Sequence, residues 1–203
     1  MTTQDPTFKS VFGPKWDALP PVMKKHYANK PFSNDIVTVK GKMNFIIAPW
    51  ARLIMPLFKW LNILVPYEGK NIDATVNFRS EKDNDIFQFD RWISFPNKKP
   101  YHFLSKMRPS GGKEIVEKFK CGIAWRMNYD FDGEKVLLLH KGFALCFFGL
   151  TIPFPISFIM GKGYAEEIAI DENSFKMRTT ITHPLFGVYY EYNGVFTVTD
   201  MKI

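Results

Sequence analysis

Arg91 stands where a half-buried strand should carry an apolar residue. Residues 86–95 alternate with a period of two, so Phe87, Phe89, Arg91, Ile93 and Phe95 share one face. The segment 115–121 repeats the anomaly with the opposite sign, because Glu117 lies between Ile115 and Phe119. Glu166 is read on a face with Tyr164, Ile168 and Ile170. An unpaired ion inside a fold costs several kcal/mol, so such charges pair with one another or meet a ligand. The chemistry that follows is recognition of the polar end of an amphipathic molecule, Arg91 making a two-pronged contact to a carboxylate or phosphate. A structural Arg–Glu pair without a ligand role is the alternative.

His26, His102, His140 and His183 show no metal-ligand spacing. His183, in the run Ile181-Thr182-His183-Pro184, closes a strand beside a fixed turn. It is a candidate general base if a glutamate approaches it, and otherwise a histidine satisfied at a strand end. No GxSxG elbow, GxGxxG loop or P-loop is present, which argues against common hydrolase, dehydrogenase and NTPase chemistry. Cys121 and Cys146 lack CxxC spacing, so neither a disulfide framework nor a structural zinc site is expected. No metal or cofactor is anticipated. The cysteine usage and the absence of a basic-then-apolar leader in residues 1–10 point to a cytoplasmic protein.

The elements that must position these residues are mostly strands. Period-two patterns cover 35–45, 71–79, 86–95, 101–108, 115–121, 123–131, 135–141, 164–170 and 175–182. A pair of strands through 188–199 is predicted to turn at Asn193-Gly194. Residues 1–34 read as short helices, with Pro14 and Pro20-Pro21 opening helical turns. Residues 49–64 are the best helix, kinked by Pro56. Between Trp50 and Trp60 this helix carries Arg52 and Lys59, which suggests either a lid packed on the core or peripheral contact with a membrane surface. Residues 142–161 carry no charge, yet Pro153 and Pro155 make a membrane-spanning helix a poor reading; a buried or pocket-lining segment of a soluble fold is preferred.

The 203 residues favour a single domain, 1–203, with 1–34 packed on the sheet. The chain is 46% hydrophobic with twenty Phe, too apolar for disorder. Its net charge of +7 comes from scattered lysines rather than a basic block, so a solvated basic surface is favoured over a nucleic-acid partner. The fold class is mainly β: a large antiparallel cupped sheet or β-barrel, with short N-terminal helices and one longer helix as a lid.

The run Val11-Phe12-Gly13-Pro14, Trp16, Leu19-Pro20-Pro21 and His26 resembles the opening of the bacterial domain of unknown function 4166. Later elements are similar too: Phe89-Asp90-Arg91, Ser105, Glu117, Pro153-Phe154-Pro155, Glu166-Glu167, and His183-Pro184 followed by Gly187, Tyr192 and Gly194. The similarity runs from about residue 8 to 197 and lies in the order and spacing of loose motifs. Where that family tends to carry tryptophan before the arginine, this chain has Phe89. The family brings no established activity. Some members are attached to nucleotide-binding, reductase-like domains, so a reductase role here would need a partner. With Ser105 and Tyr192 from this pattern, the ligand-binding candidates are Arg91, Glu117, Glu166, Ser105, His183 and Tyr192.

The expected function is binding of a hydrophobic or amphipathic small molecule in a β-cup. The alternatives are a lyase, isomerase or hydrolase using a Glu/His pair in that cavity, and an interaction module with a filled core. The oligomeric state is not legible.

Overall fold

The computed structural model describes residues 4–203, so residues 1–3 of the anticipated N-terminal segment lie outside the described residues. Eleven antiparallel strands follow the alternating patterns: β1 (Ile36–Ile47), β2 (Gly69–Ser80), β3 (Phe87–Ser94), β4 (Tyr101–Pro109), β5 (Glu114–Lys118), β6 (Ile123–Phe131), β7 (Lys135–Phe147), β8 (Leu150–Phe154), β9 (Lys162–Ala169), β10 (Ser174–His183) and β11 (Gly187–Lys202). The order β6-β5-β4-β3-β2-β1-β11-β10-β9-β7, completed by a β6–β7 pairing, closes ten of them into a barrel. β8 hangs from the second half of β7 as a hairpin. Closure gives each of the ten strands a partner on both sides, β8 alone keeping one among the described residues, and ten strands leave an interior wider than side chains alone fill.

Short helices cover both ends. At the lower end lie α1 (Thr7–Phe12), a 3₁₀ turn (Gly13–Trp16) and α2 (Pro21–His26). Helices of six residues are not stable alone, so packing must hold them. Phe8 and Phe12 supply it, meeting Tyr27 and Tyr129 at ring-centroid distances from 4.6 to 6.1 Å. Each such buried ring contributes about 1.5–3 kcal/mol. The Lys15 ammonium ties the plug to the rim of β6 through Asp130, at 2.7 Å.

The upper end is roofed by a 3₁₀ turn (Pro49–Leu53), α3 (Met55–Leu61) and α4 (Ser157–Met160). The hydroxyls of Tyr190 and Tyr189 anchor this roof, donating to the carbonyls of Val65 (2.9 Å) and Met160 (2.7 Å). The single long helix expected over 49–64 is instead two short pieces. Pro56 lacks an N–H and tolerates only the first helical turn, so it starts α3 rather than kinking a longer helix.

The Asn193-Gly194 turn is also corrected. β11 runs unbroken through both residues between β1 and β10. Gly194 serves close backbone approach instead, since a Cβ there would lie 2.5 Å from the carbonyl oxygen of Lys42. Residues 142–161 form no continuous helix; they make the end of β7, the exposed strand β8 and the turn α4. Most of that stretch is surface rather than cavity wall. Among the described residues, no helix is long and apolar enough to cross a membrane.

Candidate functional site

Inside the barrel is a cavity of about 130 Å³. One water needs ~10–15 Å³, so the space suits a molecule larger than a single water. Its upper wall is apolar, with Phe45, Ile63, Leu64, Val65, Ile93 and Met160 among the lining residues. Polar groups enter lower down.

Arg91 is the centre of the first polar group, and only 8% exposed. Its Nη2 donates to Ser105 Oγ (2.6 Å) and Glu117 Oε1 (3.0 Å), and its Nε donates to the Phe103 carbonyl (3.3 Å). Ser105 in turn donates to Glu117 Oε1 at 2.6 Å. The guanidinium carbon lies 3.9 Å from the ring centroids of both Phe89 and Phe103. Register explains the meeting: Arg91 is opposite Phe103 across β3–β4, Ser105 lies two residues on, and Glu117 opposes Met107 across β4–β5. Among the described residues, neither Arg91 Nη1 nor Glu117 Oε2 has a hydrogen-bond partner, and both side chains line the cavity. Tyr192 lines it as well. Burial raises the Tyr192 phenol pKa and the nearby Arg91 charge partly offsets that rise.

The second polar group was not anticipated. Glu167, from β9, accepts from the Tyr27 hydroxyl at 2.5 Å and lies 3.6 Å from His26 Nε2. Burial and the Glu167 charge hold the Tyr27 hydroxyl well above its usual pKa. Asn29 spends its amide nitrogen on Asp35, Phe78 and Ser80, which turns its oxygen away from them. That oxygen and His26 Nδ1 are fully buried without a partner. All four side chains line the cavity.

Two expected members of the site lie elsewhere. Glu166 is on the outer face of β9, bonded to Lys135 and the Tyr164 hydroxyl, both at 2.8 Å. The inward face is Gly163, Ala165 and Glu167, one residue out of phase with the sequence reading. Gly163 is small because Trp125 fills the space opposite: a Cβ there would come within 2.6 Å of that ring. His183 packs under the roof between Trp50, Phe158 and Phe186, and its Nδ1 accepts from the Leu185 amide. No glutamate meets it; the Glu–His contact of the cavity is Glu167–His26. Among the described residues, no cluster of three or more His, Cys, Asp or Glu is placed to hold a metal ion.

One side of the wall is latched by hydrogen bonds. β7 pairs with β9 only from Lys135 to Leu139, and beyond this point β8 and α4 occupy the split. Trp125 Nε1 on β6 donates to His140 Nδ1 on β7, and His140 Nε2 meets Ser157 Oγ on α4, each at 2.9 Å. An indole N–H only donates, so His140 must be neutral with its proton on Nε2. Burial, with Lys162 adding to it, lowers the His140 pKa below the ordinary 6.5. As pH falls through 6.5 the unfolded chain binds this proton first, so the stability of the latch is full above that value and declines below it. Amide exchange of residues 150–161, corrected for intrinsic rates, is expected to accelerate on acidification from pH 7.5 to about 5.5. The same acceleration in His140→Phe would show that another group controls it.

No curated protein matches the chain. Among solved structures, the crystal structure of Rv2717c from M. tuberculosis is 14% identical, covering 93% of this chain and 99% of that one, at a TM-score of 0.43. The dehydratase domain of the polyketide PpsC from Mycobacterium tuberculosis is 4% identical over 88% of this chain and 80% of its own, at a TM-score of 0.20. Neither likeness reaches a level at which activity transfers. Residues 19–196 match the family described as Domain of unknown function (DUF4166), and the chain therefore belongs to that family.

Proposed function

We propose that the barrel binds an amphipathic, lipid-like small molecule, head group down among the polar residues and tail up beneath the roof. The observation that carries this reading is the Arg91–Glu117 pair at the cavity wall, with one unpartnered polar atom on each side chain. An unused donor beside an unused acceptor suits a group that both accepts and donates, such as a hydroxyl or a primary amide. Sequence alone suggested a carboxylate or phosphate. Here the Arg91 charge is already met by Glu117, and Glu167 places a second carboxyl group in the same cavity, so an anionic head would face like charge. The apolar upper wall supplies most of the affinity and the polar pair sets orientation.

Native mass spectrometry of the purified protein, followed by organic extraction, tests this directly. A bound species released on denaturation and identified as a neutral-headed lipid supports the proposal. An empty protein that also fails to bind long-chain alcohols and amides in titration defeats it.

A catalytic reading has one specific observation in its favour. His26 Nδ1 is unpartnered while Nε2 faces Glu167, an arrangement suited to general acid–base chemistry on a bound molecule. Chemical change of the extracted ligand on incubation, lost in Glu167→Gln, distinguishes an enzyme from a carrier.

A further inference from the structure

The two ends of the barrel differ in both polarity and charge. Of nineteen large apolar side chains exposed among the described residues, eleven lie in the upper connections or the β7–β8 hairpin, and three lie at the lower end outside the strands, Phe32, Ile170 and Ile203. The upper set includes Trp60 on α3, Phe148 at the hairpin tip, Phe158 and Ile159 on α4, and Phe186 between β10 and β11. Ring packing through the buried His183 links part of it. Phe158 lies 6.2 Å from His183, which lies 4.8 Å from Phe186, which lies 4.9 Å from Trp50.

Charge follows the same axis. The upper connections (48–68, 95–100, 119–122, 148–149, 155–161 and 184–186) carry Arg52, Lys59, Lys98, Lys99 and Lys120 against one acid, Glu68. The lower end, its strand connections (81–86, 110–113, 132–134 and 170–173) together with the N-terminal segment 4–35, carries ten acidic residues against seven lysines. A surface both apolar and basic at one end, with an acidic opposite end, is an oriented electrostatic arrangement.

Phe148 adds an independent sign. It is fully exposed and its φ is +48°, followed by Gly149 at +80°. Two consecutive positive φ values suit a tight two-residue hairpin turn, where asparagine then glycine is preferred. A bulky aromatic in that conformation is a strained choice; at the lower end the half-exposed Phe32 shares it, at a φ of +52°.

We infer that the upper end docks on an anionic phospholipid bilayer, with Phe148 and its apolar neighbours entering the headgroup boundary and the lysines facing lipid phosphates. Apolar area plus attraction to anionic lipid is the combination that sustains interfacial binding, and neither alone is strong. A protein partner would explain the apolar patch but gives no reason for basic residues in separate connections around it. The inference stands whether or not the cavity holds a lipid. If it does, docking presents the α3–α4 roof to the reservoir of such molecules.

Flotation with vesicles of phosphatidylcholine alone, or of phosphatidylcholine and phosphatidylserine at roughly seven to three, tests it using the full chain. Binding is expected only to the mixed vesicles and should fall steeply as salt rises. Phe148→Asn should weaken it about tenfold or more while leaving the thermal midpoint unchanged or higher, because asparagine suits the turn. Lys99→Glu with Lys120→Glu should weaken it by about fivefold per lysine or more. Absence of binding to mixed vesicles overturns the inference, as does a Phe148→Asn variant that binds like the parent. Concentration-dependent dimers dissolved by Phe148→Asn, without vesicle binding, would assign the face to a second copy of the chain and equally overturn it.

Discussion

Glu117→Gln is expected to lower folding stability by about 3–5 kcal/mol, the cost of leaving a buried guanidinium without its counter-charge. For a chain of this length that is a fall in the thermal midpoint of roughly 6–20 °C. Four other contacts of Arg91 survive the change: Ser105, the Phe103 carbonyl and the two flanking rings. None neutralises the charge. The ring contacts are worth about 0.5–2 kcal/mol each, too little to offset the lost ion pair. Replacing both partners, as Arg91→Met with Glu117→Leu, should recover most of the loss, because two apolar side chains of similar volume need no mutual compensation. Denaturant midpoints for both single variants and the double variant complete the cycle. A Glu117→Gln cost below about 1 kcal/mol, the value of an exposed pair, would mean that cavity water solvates Arg91 and that the pair does not organise the interior.

The legible part of this molecule is the part governed by period two. Alternation located β3, β4 and β6 nearly to the residue and put Arg91 and Glu117 on interior faces before any register was known. Large side chains made those faces unambiguous. On β9 the same logic failed, because the interior side of that strand is Gly163, Ala165 and Glu167, while bulky Tyr164 and Ile168 lie on the other face. Hydrophobicity marks the inner face only where there is room for large residues, and Trp125 removes that room at Gly163. The signal that finds Glu167 is the run of small residues at alternate positions, read as space filled from across the barrel. His26 and Tyr27 were out of reach for a different reason. His26 ends, and Tyr27 directly follows, a six-residue helix whose place at the lower end is set by tertiary packing, and nothing local records which strand it will face. The Asn193-Gly194 pair shows the converse error, in which a strong local turn signal yields to a close approach between neighbouring strands.

Head-group selectivity is the second large effect and the sharper test of the site. A long-chain primary alcohol or amide is expected to bind at least tenfold more tightly than the fatty acid of the same length at pH 7.5. The neutral head can donate to Glu117 Oε2 and accept from Arg91 Nη1, both unpartnered among the described residues, whereas a carboxylate can only accept. A hydrogen bond to a charged group is worth about 1.5–3 kcal/mol, which corresponds to roughly tenfold to a hundredfold in affinity. The double variant Arg91→Met with Glu117→Leu, in which folding is retained, should lose that increment for the alcohol and bind alcohol and acid within a few-fold of each other. The remaining affinity then reports the apolar wall alone. Should the fatty acid prove the tighter ligand in the parent protein, Glu117 does not control the head-group position and the guanidinium acts as an anion receptor after all. Should the double variant bind the alcohol as tightly as the parent, the polar pair does not touch the ligand, and the partnerless atoms of His26 and Asn29 at the lower end become the place where the head group rests.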